Sequence, residues 1–317
     1  MKTGVMLSCL GIGVLGLTAC GGAASSALDS YKPATVNTPE DAKRWAKNAS
    51  APNVYLSSTA VLGITGLNGQ GQAEDTTCPK RNQDGNTLWL EGDCTDSEGR
   101  KWVGKARRES EAAGSDTGRF VYEGFGYEGT DTCGGKEIAG KWIFEGVVDV
   151  TGTEEEIHFD IDVRTDFTGP DEDADCAVSD ESMAWDYTGT VVEDGSSKNT
   201  WSGSGRVGSS KIGVATVETK DEVIDMSVCD SEAISGTTTL TGGSDTVVIT
   251  YDGATDCESS STVQWSLNGE AKGELTGVSC ASAGSAPAWA LLAWPAVMLL
   301  WRRRSRDVRG GRGRRRI

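Results

Sequence analysis

The stretch EIHFDIDVR, residues 156–164, decides the fold. Ile157, Phe159, Ile161 and Val163 alternate with His158, Asp160, Asp162 and Arg164. A period of two places the apolar set on one face and the polar set on the other, the signature of a strand in a sheet with one dry side and one wet side. The same phase runs outward from it. KWIFEGVVDV (141–150) puts Trp142, Phe144, Val148 and Val150 together, and AWDYTGTVV (184–192) does so with Trp185, Tyr187 and Val191. TWSGSGRV (200–207) adds Trp201, Gly203, Gly205 and Val207. An aromatic followed two or four residues later by glycine recurs. A ring lying across the bare backbone of a glycine on the next strand covers exposed peptide and bends the sheet. The tryptophans are therefore read as core rather than as a ligand cage.

Candidate strands follow near 87–94, 100–108, 119–127, 140–150, 157–165, 182–192, 199–207, 212–219, 222–229, 234–241, 245–252, 261–268 and 271–280. The linkers are too short for crossover helices, so neighbours run antiparallel. Gly242-Gly243 and Asn268-Gly269 sit where hairpin turns belong. The expected fold is all-β: an antiparallel up-and-down meander, closed as a barrel or folded as a sandwich, across 78–280. Two smaller β units dividing near 195–200 are the alternative. Counting strand directions puts Cys94, Cys133, Cys176, Cys229, Cys257 and Cys280 at one rim, together with the loop TDFTGPDEDADCAVSDES. Thr38, Pro39 and Asp41 in TPEDAKRWAKNA form a capping-box helix start. Residues 53–67 are apolar and fit helix or strand equally. Residues 20–77 read as a small, polar tether carrying one short helix.

The two ends differ from the middle. The chain opens MKTGVMLSCLGIGVLGLTAC, a Lys2 n-region and a short apolar run, which is the layout of a secretory signal over 1–19. Leu17-Thr18-Ala19-Cys20 resembles the lipobox of bacterial lipoproteins. The resemblance implies cleavage before Cys20, acylation of its thiol, including palmitate, and a lipid anchor. At the other end a sixteen-residue uncharged run, 286–301, is followed by nine arginines. With the small-residue spacer before it and Cys280, this resembles the sorting tags of myxobacterial surface proteins, the MYXO-CTERM type, over 281–317. That resemblance implies a surface protein of a family with no established activity. A plain membrane anchor is the other reading of this end. Lys2 and the arginine tail leave residues 20–301 with a formal charge of −26 within a chain of −17. A surface that acidic excludes nucleic acid as a partner, since phosphate backbones need lysine and arginine.

Nine cysteines are present. Cys9 leaves with the signal and Cys20 is the lipidation site. The rest are dispersed, with no C-x-x-C and one histidine in the chain, so zinc clusters lack ligands. In an exported protein they read as disulfides. The expected pairs are Cys78–Cys94, Cys133–Cys176 and Cys229–Cys257, with Cys280 the sorting-tag cysteine.

Asp171, Asp173 and Asp175 alternate as oxygen ligands of a calcium loop would. Cys176 stands where such a loop needs glycine, and Ser182 where it needs Glu. Calcium is thus the one cofactor considered, and a solvated acidic loop is the competing reading. His158 lies on a polar strand face between Glu156 and Asp160, with no nucleophile frame around any serine. No enzyme activity is assigned. The expected protein is an outer-membrane or cell-surface lipoprotein with a non-catalytic β-rich interaction or structural domain. Its partners are the membrane, through the anchor, and a protein or glycan. A calcium- or carbohydrate-binding lectin-like domain is the second reading, and a secreted hydrolase using rim carboxylates the third.

Overall fold

The structure, a computed structural model, describes residues 22–65, 77–110, 117–133, 135–153, 155–171, 176–194, 197–229, 232–253, 262–276 and 278. Fourteen strands make one antiparallel sheet: β1 (Lys80–Asp84), β2 (Thr87–Glu91), β3 (Cys94–Thr95), β4 (Lys101–Glu109), β5 (Gly118–Cys133), β6 (Lys136–Gly152), β7 (Glu156–Asp171), β8 (Ala177–Glu193), β9 (Lys198–Ser209), β10 (Gly213–Asp225), β11 (Ser235–Gly242), β12 (Asp245–Tyr251), β13 (Thr262–Leu267) and β14 (Glu270–Thr276). Each strand pairs with the next in sequence, except that β3 lies off the path and pairs only with β4. The meander is all-β as expected, one continuous antiparallel sheet with β1 and β14 at its ends, and it is not closed into a barrel. It runs unbroken through 195–200, where β8 and β9 pair from Met183↔Ser209 to Glu193↔Asn199. The β1 edge is exposed along its whole length and carries Lys80, Arg81 and Asp84. Charge on an edge strand discourages further pairing.

The inner face carries the aromatic and aliphatic side chains. One continuous cluster extends from Leu88 on β2 to Leu275 on β14, with Trp102, Tyr122, Phe144, Phe159, Trp185, Trp201 and Ile249 between them. Glycines on the central strands are covered as the sequence suggests. A Cβ on Gly203 would stand 2.5 Å from the Tyr187 ring, and one on Gly189 would collide with the Phe159 ring. Those rings replace the missing side chains.

Two helices pack on the inner face. α2 (Pro39–Ala49) starts at the Thr38 capping box: Asp41 N–H donates to Thr38 Oγ1 at 3.1 Å, and Thr38 N–H donates to Asp41 Oδ2 at 3.0 Å. α3 (Ala51–Thr65) resolves the ambiguity of the apolar segment. From Ala51 to Thr59 its side chains are buried or half-buried, which fits a helix set against the core rather than one with a wet face. Tyr55 of α3 meets Phe159 at 5.1 Å and Trp201 at 5.7 Å between ring centroids. Among the described residues no helix is long and apolar enough to cross a membrane.

The order of strands after β9 differs from the sequence expectation. Residues 212–229, read as two strands, form one strand, β10, with a bulge at Lys220–Glu222. Losing one reversal inverts every later strand. Cys78, Cys94, Cys133 and Cys176 remain at one rim. Cys229, just after β10, lies at the opposite rim, where Met226 N–H donates to Ser197 O of the β8–β9 turn. The expected long acidic loop is also shorter. β7 continues to Asp171 and β8 begins at Ala177, with Thr168 donating to Asp180 Oδ1 at 2.6 Å within the extended hairpin.

Candidate functional site

Polar side chains concentrate in two places beyond the needs of a sheet. The first is the outer face of β6–β9. Register aligns Asp149, Asp160 and Thr188 in one row, and Thr151, His158, Thr190 and Ser202 in the next. Together they line an open groove of about 600 Å³ floored by Phe159, Gly189 and Gly203. A third row holds Asp162, Asp186 and Arg206. Asp149 stands directly opposite Asp160, and Asp162 directly opposite Asp186. Like charges so placed weaken a sheet, so each needs a compensating partner.

For the Asp162–Asp186 pair the partner is the N-terminal chain. α1 (Ala23–Ser30) lies on this outer face. Asp162 Oδ1 accepts the Ala24 N–H at 2.8 Å, filling a role at the helix start that α1's own N-cap, Gly22, cannot fill. The space beside Gly22 is occupied by that carboxylate, so no larger residue fits there without displacing it. Arg206 reaches Asp186 at 3.0 Å and Asp29 of α1 at 2.8 Å, and Ser25 donates to Asp186 at 3.1 Å. The Tyr31 hydroxyl bonds Ser182 Oγ at 2.9 Å. The chain then crosses the rim. Val214 N–H donates to Lys32 O and Ala34 N–H to Val214 O, at 2.8 and 2.9 Å. Gly213, at φ +91°, admits this close passage, since a Cβ there would stand 2.5 Å from Lys32 O. Residues 22–37, read from sequence as a free tether, are therefore a strap that grips the sheet on its outer face and leads to α2 and α3 on its inner face.

Asp149 and Asp160 keep their juxtaposition. Arg119 bonds Asp149 at 3.2 Å. Partial burial, then the neighbouring carboxylates Asp149, Asp186 and Asp162, push the Asp160 carboxyl above its ordinary range. His158 is exposed, with Nε2 3.5 Å from Glu156.

The second concentration is internal. The β10 bulge holds Asp221 at φ +50° and shifts the alternation by one residue, so Glu222 points inward beside Trp201 and is fully buried. Thr238 donates a hydroxyl hydrogen bond to Glu222 Oε1, and the Tyr251 phenol also bonds the carboxyl. Burial outweighs both and raises Glu222 to about 8. Nearby, Tyr187 and Thr219 share a hydrogen bond of 2.9 Å. Burial raises the Tyr187 phenol well above its ordinary value. Sequence reading missed Glu222 because it divided β10 at this point. The signal was present: Val217 and Thr219 keep one phase, Glu222 and Ile224 the other, and the slip falls at Lys220-Asp221.

The sequence-predicted positions separate into three groups. Cys78 is joined to Cys94 and Cys133 to Cys176, with Cα atoms 5.8 and 5.7 Å apart. Cys229 is disulfide-bonded; Cys257, its expected partner, lies outside the described residues, as do Cys20 and Cys280. Asp171 is the last residue of β7, opposite Ala177, while Asp173 and Asp175 lie outside the described residues. Among the described residues no three His, Cys, Asp or Glu side chains converge as a metal site requires.

The acidic turn beside Cys94 is structural. Asp96 accepts Glu98 N–H at 3.0 Å, Arg100 N–H at 2.9 Å, Arg100 Nε at 2.7 Å and Trp102 Nε1 at 2.9 Å. Burial alone would raise its carboxyl, but the Trp102 and Arg100 bonds prevail and hold it below the ordinary value. No protein-family model, curated protein or solved structure matches this chain.

Proposed function

We propose that this chain is a cell-envelope lipoprotein, anchored through acyl groups on Cys20, whose sheet is a non-catalytic interaction or structural domain at the outer membrane or cell surface. The observation that carries the reading is the junction between Leu17-Thr18-Ala19-Cys20 and the folded domain. Helix α1 starts at Ala23, three residues after the cysteine in sequence, and is fixed to the sheet by Asp162, Asp186 and Arg206. A cleaved signal would thus leave a mature chain with its lipid on the domain itself. The disulfides support an oxidising compartment, where such bonds persist. The polar groups of the domain find structural roles: Asp162 and Asp186 hold α1, Asp96 closes a turn, Glu222 sits in the core.

Intact-mass measurement of membrane-extracted protein tests the reading. A mature chain starting at Cys20 and carrying diacylglycerol and an amide-linked acyl chain is the expected result. A Cys20→Ser variant is expected to carry no acyl mass. An unmodified chain retaining residues 1–19, or one released intact into the cytosol, would overturn the proposal.

A further inference from the structure

We infer that the outer face of β6–β9, around Asp160 and Thr188, lies against the lipid headgroup layer, so that the sheet rests along the membrane. The inference builds on acylation of Cys20 and adds an orientation that acylation alone does not fix. The argument is one of reach. Cys20 is two residue steps from Gly22, and an extended chain spans at most about 3.6 Å per step, so the modified cysteine stays within about 7 Å of Gly22. Gly22 is packed against Asp162, which is held in turn by the Ala24 N–H.

Asp162 is not at an edge. It is the seventh residue of the sixteen-residue β7, and along the sheet β7 has five strands on one side and seven on the other. β7 alone extends about 50 Å at 3.3 Å per residue. A flat bilayer can approach the centre of such a face this closely only by lying roughly parallel to it. A lipid attached at a rim or through a free linker would leave the tilt open.

The exposed groove beside Asp162 then meets headgroups. Its carboxylates Asp149 and Asp160, with the hydroxyls of Thr188 and Ser202, suit the ammonium groups of zwitterionic phosphatidylethanolamine better than anionic headgroups, which the carboxylates repel. The inner-face helices and the disulfide rim at Cys133–Cys176 face away from or stand at the margin of the contact.

The test uses Thr188→Lys, a substitution at an exposed position directly opposite Asp160. Acylated protein is reconstituted into vesicles of phosphatidylethanolamine and phosphatidylcholine and treated with a water-soluble amine-reactive reagent in excess over the exposed lipid amines. A Cys20→Ser form beginning at residue 20, with the same vesicles, is the unacylated reference, and native Lys80 and Lys136 are internal standards. The expected result is labelling at 188 reduced at least fivefold in the anchored protein, with both standards unchanged. His158→Lys, on the adjacent row, should be protected in parallel and guards against a folding defect at 188. Equal labelling of anchored and unanchored protein at both positions, with acylated Cys20 verified by mass, would overturn the orientation while leaving the lipoprotein reading intact. Absence of acylation would overturn both.

Discussion

Replacing Glu222 by glutamine should make the protein less sensitive to alkali, and the size of the effect follows from its surroundings. Glu222 is fully buried on the inner face, with Thr238 and Tyr251 as hydrogen-bond partners and its carboxyl raised to about 8. An unfolded glutamate titrates near 4.3–4.5. Between these values the unfolded chain has lost the proton and the native one still holds it. The unfolded state therefore binds fewer protons, and stability falls as pH rises, by about 1.4 kcal/mol per unit within the window. From pH 5 to pH 7 the loss from this one group is about 2–3 kcal/mol, and it levels off above about pH 8. Glutamine keeps the shape and an acceptor for Thr238 without the charge. The Glu222→Gln protein should thus match wild type near pH 4.5 and exceed it progressively above. In thermal melts that is about 5–10 °C between pH 5 and 7, at about 2–4 °C per kcal/mol for a domain of this size. The readout is the difference between the two pH profiles, which cancels the other carboxylates. Profiles that run parallel from pH 5 to 8 would refute the assignment of a neutral, buried Glu222.

Other positions give sharper local tests. Asp96→Ala leaves the Trp102 indole N–H and the Arg100 guanidinium without their acceptor and should cost about 2–3 kcal/mol in urea unfolding at neutral pH. Because the native Asp96 carboxyl is held below its ordinary value, its contribution is present above about pH 4 and lost as pH falls through the native value. The variant should therefore lose less stability on acidification than wild type. Serine at both Cys133 and Cys176, whose bond closes 43 residues of chain, should cost about 4 kcal/mol, against about 3 kcal/mol for the Cys78–Cys94 pair across 16 residues. Equal losses would show that loop closure is not the main source. Gly203→Ala drives a Cβ to 2.5 Å from the Tyr187 ring. It should destabilise by about 1–3 kcal/mol, whereas Ala at exposed Gly135, with nothing within 4 Å, should act only through its backbone angle.

What the sequence made legible was the part governed by local alternation. The period-two stretches around 141–150, 156–164, 184–192 and 200–207 all fall inside observed strands, and the rings over Gly189 and Gly203 follow from the same pattern. The Thr38–Asp41 capping box was equally local. The failures share a cause. A bulge changes phase without leaving the strand, and at Lys220–Glu222 it looked like a turn. That single misreading moved Cys229 to the wrong rim and hid the inward turn of Glu222. The polar run 165–182 looked like loop because Asp166 and Asp180 face outward and Glu181 stands opposite Phe167, in a hairpin extension whose inner side still carries Phe167 and Met183. The strap at 22–37 was beyond local reading for a different reason. Its contacts, such as Ala24 with Asp162 and Arg206 with Asp29, join residues 138 and 177 apart in sequence.

The strap also explains why the outer face tolerates carboxylates directly opposite one another. Asp162 and Asp186 would repel across β7 and β8 in a bare sheet. With α1 in place, one receives a helix N-terminus and the other an arginine that also holds Asp29. The acidic pair is thus a docking site for the protein's own first helix. The same segment then passes the rim at Lys32–Ala34 and delivers α2 and α3 to the opposite face. One stretch of chain clasps the sheet from both sides. Force applied at Gly22 is consequently carried by contacts in the middle of the sheet rather than by its exposed edges β1 and β14.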